Sequence, residues 1–344
     1  MACHKYPMLV TLLTVLAAGA IISIACAHFY LAGRLSLNSE ATTRYSEAKD
    51  AAFEWCGTLS EENPVFQGET PAFRVKFMRG SGACSALVGL LDVAMYAMAQ
   101  NRTMFIDESH SPLRGEHESW YNRYFLPVGQ QSNFSGPFID MAYERNVTKF
   151  VRGTERVTIQ NETHWRVDMK RLVLRKIWHF QPWIQHEVCQ HVSALGLVRP
   201  FIGMLIRRGD KLDYRAAIPM DTFVSILKST SLHSRVKQVF IATDDCSVLE
   251  SLQGLAPEFV FKSLCSIQFG KGFVIGNLKV LASKDIDLHY LKFFGELIVL
   301  AAADVFIGDH QTNVHHWVTY MRPVGTGNAT TLDIRWYPYA NDIV

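Results

Sequence analysis

The sequence predicts an α/β protein with two open, Rossmann-like halves, each built on a mainly parallel sheet. Short apolar runs alternate with longer helical patterns through most of the chain. The runs are continuously apolar, which is typical of parallel strands that are buried on both faces. This order of strand and helix occurs twice, and the boundary between the two series falls near residues 196–200.

The N-terminal half, residues 71–196, contains one clear βαβ unit. Its elements are a strand at 73–78, a glycine turn at 79–82, a helix at 83–100 and a strand at 103–108. Such a unit is expected to be parallel and right-handed. The aromatic residues of 179–183 are expected to pack in the core or at the joint between the two halves rather than to form a sugar platform.

The C-terminal half, residues 197–344, has predicted strands at 201–207, 237–244, 258–263 and 304–309, with helices between them. Ligands of open parallel sheets bind beyond the carboxyl ends of the strands. Polar clusters follow the strands of both halves at 79–82, 207–211, 243–245 and 308–313. We therefore expect a ligand site where these strand ends meet.

Residues 1–33 are expected to form a cytoplasmic tip and a signal-anchor transmembrane helix, with a stem at 34–70. From 8 to 33 the only titratable side chains are those of His28 and the cysteine and tyrosine residues, and about 20 apolar residues span a bilayer. The alternative is a cleaved signal peptide and a secreted protein, because residues 25–27 resemble a cleavage site. Either way, we expect the bulk of the chain in the secretory pathway.

Two further features agree with a lumenal location. Sequons for N-glycosylation occur at Asn101, Asn133, Asn146, Asn161 and Asn328. Some of the cysteines that follow the apolar segment could pair in an oxidising compartment, although their pairing cannot be read from the sequence. The net charge of +2 is too balanced to indicate a nucleic-acid partner.

Arg207 and Arg208 are adjacent in a predicted strand, so their side chains should point to opposite faces. An arginine fork suits phosphate oxygens, and Lys211 offers a second contact. The alternative is a salt bridge of Arg208 with Asp210 or Asp244. An adhesion role for the Arg-Gly-Asp tripeptide is disfavoured, because the tripeptide directly follows a core strand.

The other strand ends also have two interpretations. Thr243 or Asp244 is expected to cap the next helix, and Asp244 could also orient an arginine. Thr312 and Asn313 begin the last predicted helix, where they either cap it or help its backbone N–H groups to bind an anion. The adjacent His315 and His316 should face different directions, so no shared metal is expected.

These blocks resemble the α1,6-fucosyltransferase superfamily, which includes core and nodulation fucosyltransferases. The resemblance lies in "IRRGDK" with "AAIP", then "VFIATDD", then "GELIVLAAADVFIGDHQTN", in the same order and at similar spacing. It extends over about residues 73–325. It implies a GT-B-like fold in which the C-terminal half holds GDP, and an inverting transfer of fucose from GDP-fucose that uses no metal or other cofactor.

The resemblance also implies roles for individual residues. Arg207 matches the arginine that grips the β-phosphate, and Glu296 matches the acid that recognises the base or ribose. The residues that match the rest of the donor site are Arg208, Asp210, Lys211, Asp244, Asp245, Thr312 and Asn313.

Two positions depart from the family pattern. Leu205 stands where core fucosyltransferases have a histidine, and the expected glutamate base falls at about Arg215. Asp213 is near this position but is not aligned with it, and we assign it as the candidate base. The other two predicted catalytic residues are Arg207 and Lys211.

The sequence thus predicts a type II Golgi glycosyltransferase that transfers fucose to a glycan or glycoprotein and is held in the membrane by residues 8–33. The alternatives are a catalytically silent relative that binds a glycan or protein partner, and a transferase that uses another nucleotide sugar.

Overall fold

A computed structural model describes residues 56, 69–77, 82–129, 136–141, 147, 150, 156–159, 162–209, 217–265, 272–322 and 329–331. The predicted anchor at 8–33 and the stem up to residue 55 lie outside these residues. Within the described ranges, no helix combines the length and the apolar character that a membrane span requires.

The N-terminal part contains a three-stranded parallel sheet with strand order β2-β1-β3. Its strands are β1 (Glu69–Lys76), β2 (Arg102–Asp107) and β3 (Phe138–Asp140). Helix α1 (Ala83–Ala99) connects β1 to β2, which confirms the predicted βαβ unit. Helix α1 packs against β1 and β2 and against the helices Arg166–Ile177 and Asn313–Met321, so it has buried residues along most of its length.

Within the described residues, three α-helices and one antiparallel pair of strands follow β2 before the C-terminal part begins. They are α2 (Tyr121–Tyr124), the antiparallel pair of β4 (Arg156–Ile159) and β5 (Glu162–Trp165), α3 (Arg166–Ile177) and α4 (Pro182–Ala194). The predicted interruption near Pro182 is present. Helix α3 ends at Ile177, and Pro182 begins α4, where its missing N–H costs no helical hydrogen bond.

The C-terminal part contains a five-stranded sheet with order β10-β9-β6-β7-β8, in which every pair is parallel. Its strands are β6 (Ile202–Ile206), β7 (Gln238–Thr243), β8 (Val260–Lys262), β9 (Val305–Gly308) and β10 (Ala329–Thr331). Its helices are α5 (Met220–Ser234), α6 (Ser247–Leu255), α7 (Ser283–Ala302) and α8 (Asn313–Met321).

The central strands of this sheet are buried on both faces, as their continuous apolar runs predict. In β6, Met204 and Ile206 pack against α5 and α6 on one face, whereas Leu205 packs towards α7 on the other. The core on the α7 side continues into the N-terminal sheet and includes Phe73, Trp120 and Trp317. The α/β class with mainly parallel sheets is therefore confirmed, while the division into two domains at residue 196 stays a prediction.

Candidate functional site

A cleft of about 670 Å³, partly open to solvent, lies at the carboxyl ends of β6 and β7. Arg207 follows β6, Asp244 follows β7, and Glu296 reaches the cleft from α7. Parallel neighbouring strands end at the same edge of the sheet, so residues 37 positions apart in the chain become neighbours.

Arg207 is held in the cleft by an ion pair. Its Nη1 lies 3.2 Å from Oδ2 of Asp244, and only 15% and 4% of the two side chains are exposed. The other carboxylate oxygen of Asp244 accepts a hydrogen bond of 2.7 Å from the backbone N–H of Arg208. Asp244 therefore fixes both the guanidinium and the backbone of this strand end.

Arg208 points away from Arg207, as the alternation of side chains in a strand predicts. Its Nη2 lies 3.0 Å from Sδ of Met220 at the start of α5. Asp244 thus pairs with the side chain of Arg207 rather than with that of Arg208. The guanidinium of Arg208 does not line the cleft.

The side chain of Asp245 binds the first residue of the helix that follows β7. Its Oδ1 accepts hydrogen bonds from the backbone N–H and the hydroxyl of Ser247, at 3.1 and 2.6 Å. The helix cap expected at Thr243 or Asp244 is not formed, since Cys246 is the N-cap residue of α6 and makes no side-chain cap hydrogen bond. Asp245, like Arg208, lies outside the cleft lining.

Glu296 is the acidic group of α7 in the cleft. Burial and the negative charge of Asp244 raise its pKa to about 8, against the opposing effects of a hydrogen bond from the Thr243 backbone and of Arg207 and Lys292. The carboxyl group is therefore mostly protonated at pH 7 when the cleft holds no ligand.

His289, on the same face of α7, was not identified from the sequence. Its ring stacks on Phe273 with centroids 4.3 Å apart and an angle of 17°. Burial, and then the charge of Arg207, lower the pKa of His289 to about 3, so the imidazole is neutral at pH 7. In the sequence, His289, Lys292 and Glu296 follow the spacing i, i+3, i+7. This helical pattern could have indicated that the three side chains share one face of a helix.

Two helix N-termini face a second lobe of the cleft, which also contains Arg207 and His289. One is the start of α1 at residues 82–85, where Gly82 provides no side-chain cap. The other is the start of α8, lined by Thr312, Asn313 and Val314. Backbone N–H groups at such ends attract anions, so this lobe is suited to a negatively charged group.

Thr312 is fully buried and its hydroxyl caps α8. It accepts a hydrogen bond of 3.1 Å from the His315 N–H and donates one of 3.0 Å to the Asp309 carbonyl. The capping interpretation therefore holds for this side chain, and the next two residues, Asn313 and Val314, line the lobe beside it. The rings of His315 and His316 are 6.2 Å apart at 87°, in agreement with their predicted divergence.

The loop at 272–273 closes over the end of β6. A Cβ atom on Gly209 would lie 2.3 Å from the carbonyl oxygen of Phe273, and Gly272 has a φ of +97°. Only glycine fits at both positions without displacing the backbone. A disulfide between Cys246 and Cys265 ties the start of α6 to the segment after β8, and Cys265 lines the cleft.

Three predicted site residues, Asp210, Lys211 and Asp213, lie outside the described residues. Free Cys84 at the start of α1 was missed by sequence reasoning. It is buried against the second lobe, and burial raises the pKa of its thiol.

No family model matches the sequence. Among solved structures, the chain is similar to the fucosyltransferase NodZ from Bradyrhizobium, with 16% identity and a TM-score of 0.48 over 74% of this chain and 95% of that one. The structure of NodZ α-1,6-fucosyltransferase soaked with GDP-fucose has 15% identity and a TM-score of 0.47 over 73% of this chain and 93% of that one. The structure of POFUT1 in complex with GDP has 11% identity and a TM-score of 0.40 over 76% of this chain and 97% of that one.

Proposed function

We propose that the protein is a GT-B-like glycosyltransferase that transfers fucose from GDP-fucose to a hydroxyl group of a glycan or glycoprotein. The observation that carries the proposal is the position of Arg207. It is fixed by Asp244 and shares a lobe with the N-termini of α1 and α8. Such an arrangement suits the diphosphate of a nucleotide sugar.

The reaction would be a single displacement. A new bond forms between the acceptor oxygen and the anomeric carbon while the bond from that carbon to the phosphate oxygen breaks. GDP leaves with the bonding electrons, and the acceptor proton goes to a base. Arg207 and the helix N–H groups would stabilise the negative charge that develops on the diphosphate, which is the part that metal ions play in other transferases.

Glu296 would bind the nucleoside. The N–H groups of a purine base and the hydroxyl groups of a ribose both donate hydrogen bonds, and a carboxylate accepts them better than a protonated acid. We therefore expect nucleotide binding to drive the proton off Glu296.

The base has two candidates. Asp213, the candidate from the sequence, stays a prediction, and so does the supporting role of Lys211. His289 is a neutral imidazole on the cleft wall beside Arg207. Its low pKa makes it a weak base in the unliganded protein, and it could act as the base only because the negative charge of a bound diphosphate would raise that pKa. Removal of the true base should lower kcat at least 100-fold with little change in GDP affinity, and the variants Asp213→Asn and His289→Asn distinguish the two.

A lumenal location remains part of the proposal. The disulfides Cys56–Cys189 and Cys246–Cys265 support it, because such bonds persist mainly in oxidising compartments. We propose that the apolar segment at 8–33 anchors the protein in a Golgi or other secretory-pathway membrane with type II topology.

A catalytically silent glycan-binding relative is the second candidate, and Arg215 at the expected glutamate position favours it. A panel of GDP-, UDP- and ADP-sugars, each incubated with a mixed glycan acceptor and followed by released nucleotide, separates the candidates. Turnover with GDP-fucose that Arg207→Ala abolishes supports the transferase. Binding of GDP without turnover by any donor supports the silent relative. An unchanged melting temperature at millimolar GDP argues against the transferase.

A further inference from the structure

A second depression lies between the α2 region and the start of α4, and encloses about 950 Å³ that includes open solvent. The residues that matter in its lining are Glu116, Glu118, Asn122, Arg123, Gln181 and Trp183. It lies apart from the Arg207 cleft. Asp287 supports the depression and His289 lines the cleft. The lining of the depression and the linings of the two lobes of the cleft share no residue.

Trp183 is the aromatic surface of this depression. In contrast to Phe180, which is buried as the sequence predicts, 41% of Trp183 is exposed. The guanidinium of Arg123 lies 5.2 Å from the centroid of its ring. Arg123 is itself fixed by two hydrogen bonds to Asp287, one of them 2.7 Å from Nε to Oδ1. A large exposed ring is thus held in one orientation.

The polar rim of the depression is also rigid. Nε2 of Gln181 donates to the backbone carbonyl groups of Asn122 and Phe125, both at 3.0 Å, which fixes its amide. The hydroxyl of Ser119 accepts the Asn122 N–H at 3.1 Å and donates to buried Glu108, which also accepts the Tyr121 N–H at 2.9 Å. The start of α2, which carries Asn122, is therefore held in place by hydrogen bonds within the protein.

The charges around the ring disfavour ionic ligands. The carboxylates of Glu116 and Glu118 repel anions, and Arg123 beside the ring repels a cation placed on it. Asp287 balances the charge of Arg123, and its carboxylate lies 3.1 Å from Nε2 of His117. Burial and Arg123 lower the pKa of that histidine, so it adds no positive charge at pH 7.

We propose that this depression is a binding subsite for a neutral carbohydrate. The C–H face of a sugar ring stacks on Trp183, and its hydroxyl groups bond to the carboxylates of Glu116 and Glu118 and to the amide groups of Asn122 and Gln181. Tryptophan provides a wide apolar face, and side chains around it provide directional hydrogen bonds, which is the combination that a polyhydroxylated ring matches. The subsite needs no nucleotide and does not rest on the proposed transfer reaction.

The test is saturation-transfer NMR of the protein with four neutral probes: N,N′-diacetylchitobiose, mannotriose, lactose and cellobiose. At least one probe should bind. Trp183→Ala should weaken that binding about tenfold or more, since stacking and burial of an aromatic ring contribute on the order of 1.4 kcal/mol. Trp183→Phe, which keeps a smaller ring, should retain part of the affinity.

Trp165 offers a matched control. It is 48% exposed and has Arg156 at 4.5 Å from its ring centroid, but it lies on strand β5 outside the depression. Trp165→Ala should leave binding unchanged, and melting temperatures should show that all variants fold.

Three results would overturn the proposal: no binding of any probe at millimolar concentration, equal loss in both alanine variants, or displacement of the sugar by GDP. The last result would place the sugar in the Arg207 cleft. Unchanged sugar binding at saturating GDP supports a separate subsite. This result does not bear on the proposed transfer reaction, which the donor panel tests.

Discussion

The two parts of the molecule contribute different chemistry to one cleft. The C-terminal sheet and its helices supply the charged and titratable groups, among them Arg207, Asp244 and Glu296. Within the described residues, the N-terminal part supplies the backbone of α1 at 82–85, the Cys84 thiol and the Leu113 side chain, and no formal charge. We infer that recognition of the ligand lies mainly in the C-terminal part, and that the N-terminal part adds a general attraction for anions.

The two disulfides give the largest expected effects. Cys56–Cys189 closes a loop of 133 residues in the N-terminal part, and Cys246–Cys265 closes one of 19 beside the cleft. Replacing each pair by alanine should lower the free energy of unfolding by about 5 and about 3 kcal/mol, respectively, through loop entropy. Urea unfolding measures both losses.

The two disulfides should rank in the opposite order in their effects on the affinity for GDP. Only removal of Cys246–Cys265 should weaken GDP binding in calorimetry, because only this disulfide borders the cleft. A similar loss of GDP affinity on removal of Cys56–Cys189 would contradict the inference that ligand recognition lies mainly in the C-terminal part.

The adjacent arginines give the next largest effect. Arg207→Ala should weaken GDP binding by about 30- to 150-fold, since a charge-assisted hydrogen bond contributes about 2–3 kcal/mol. Arg208→Ala is the matched control and should change affinity less than about threefold, because its side chain lies against Met220. Calorimetric titration with GDP compares the two variants, and equal losses would contradict the assignment of Arg207.

Glu296 should make GDP binding depend on pH. Its pKa is raised from the ordinary value to about 8, so the unliganded protein holds a proton there below that pH. Binding to the ionised form should therefore strengthen by up to about tenfold per pH unit as pH rises from 7 towards 8, and then level off. The variant Glu296→Gln is the control. It leaves the ionisation of the GDP phosphates unchanged, so the affinity of this variant for GDP should not rise between pH 7 and 8.

The smallest effect concerns the N-terminus of α1. A carboxylate in the first turn of a helix stabilises it by about 0.3–1 kcal/mol, but it would repel an anion in the cleft. Ser85→Asp should therefore raise the melting temperature slightly and weaken GDP binding about fivefold. Ser85→Asn is the uncharged control. Unchanged affinity in Ser85→Asp would remove α1 from the anion site and leave the site entirely to the C-terminal part.

The sequence by itself determined the order of β1, α1 and β2, the order of the elements from α3 to α8, and the positions of the strand ends at the cleft. It did not indicate the short strands β3, β4, β5 and β10. Apolar runs marked β6 and β7 as strands with two buried faces, and this placed Arg207 and Asp244 at the same sheet edge. Strand alternation also predicted that Arg207 and Arg208 diverge. These features follow from local periodicity, which is set by backbone geometry and does not depend on distant residues.

Tertiary structure decided which of these residues act together. It selected Arg207 as the partner of Asp244, paired Cys246 with Cys265, and brought His289 and the start of α1 to the cleft. It also left Trp183 exposed beside buried Phe180. The reason is that burial, charge proximity and cysteine pairing depend on contacts between residues far apart in the chain, and no local pattern encodes those contacts.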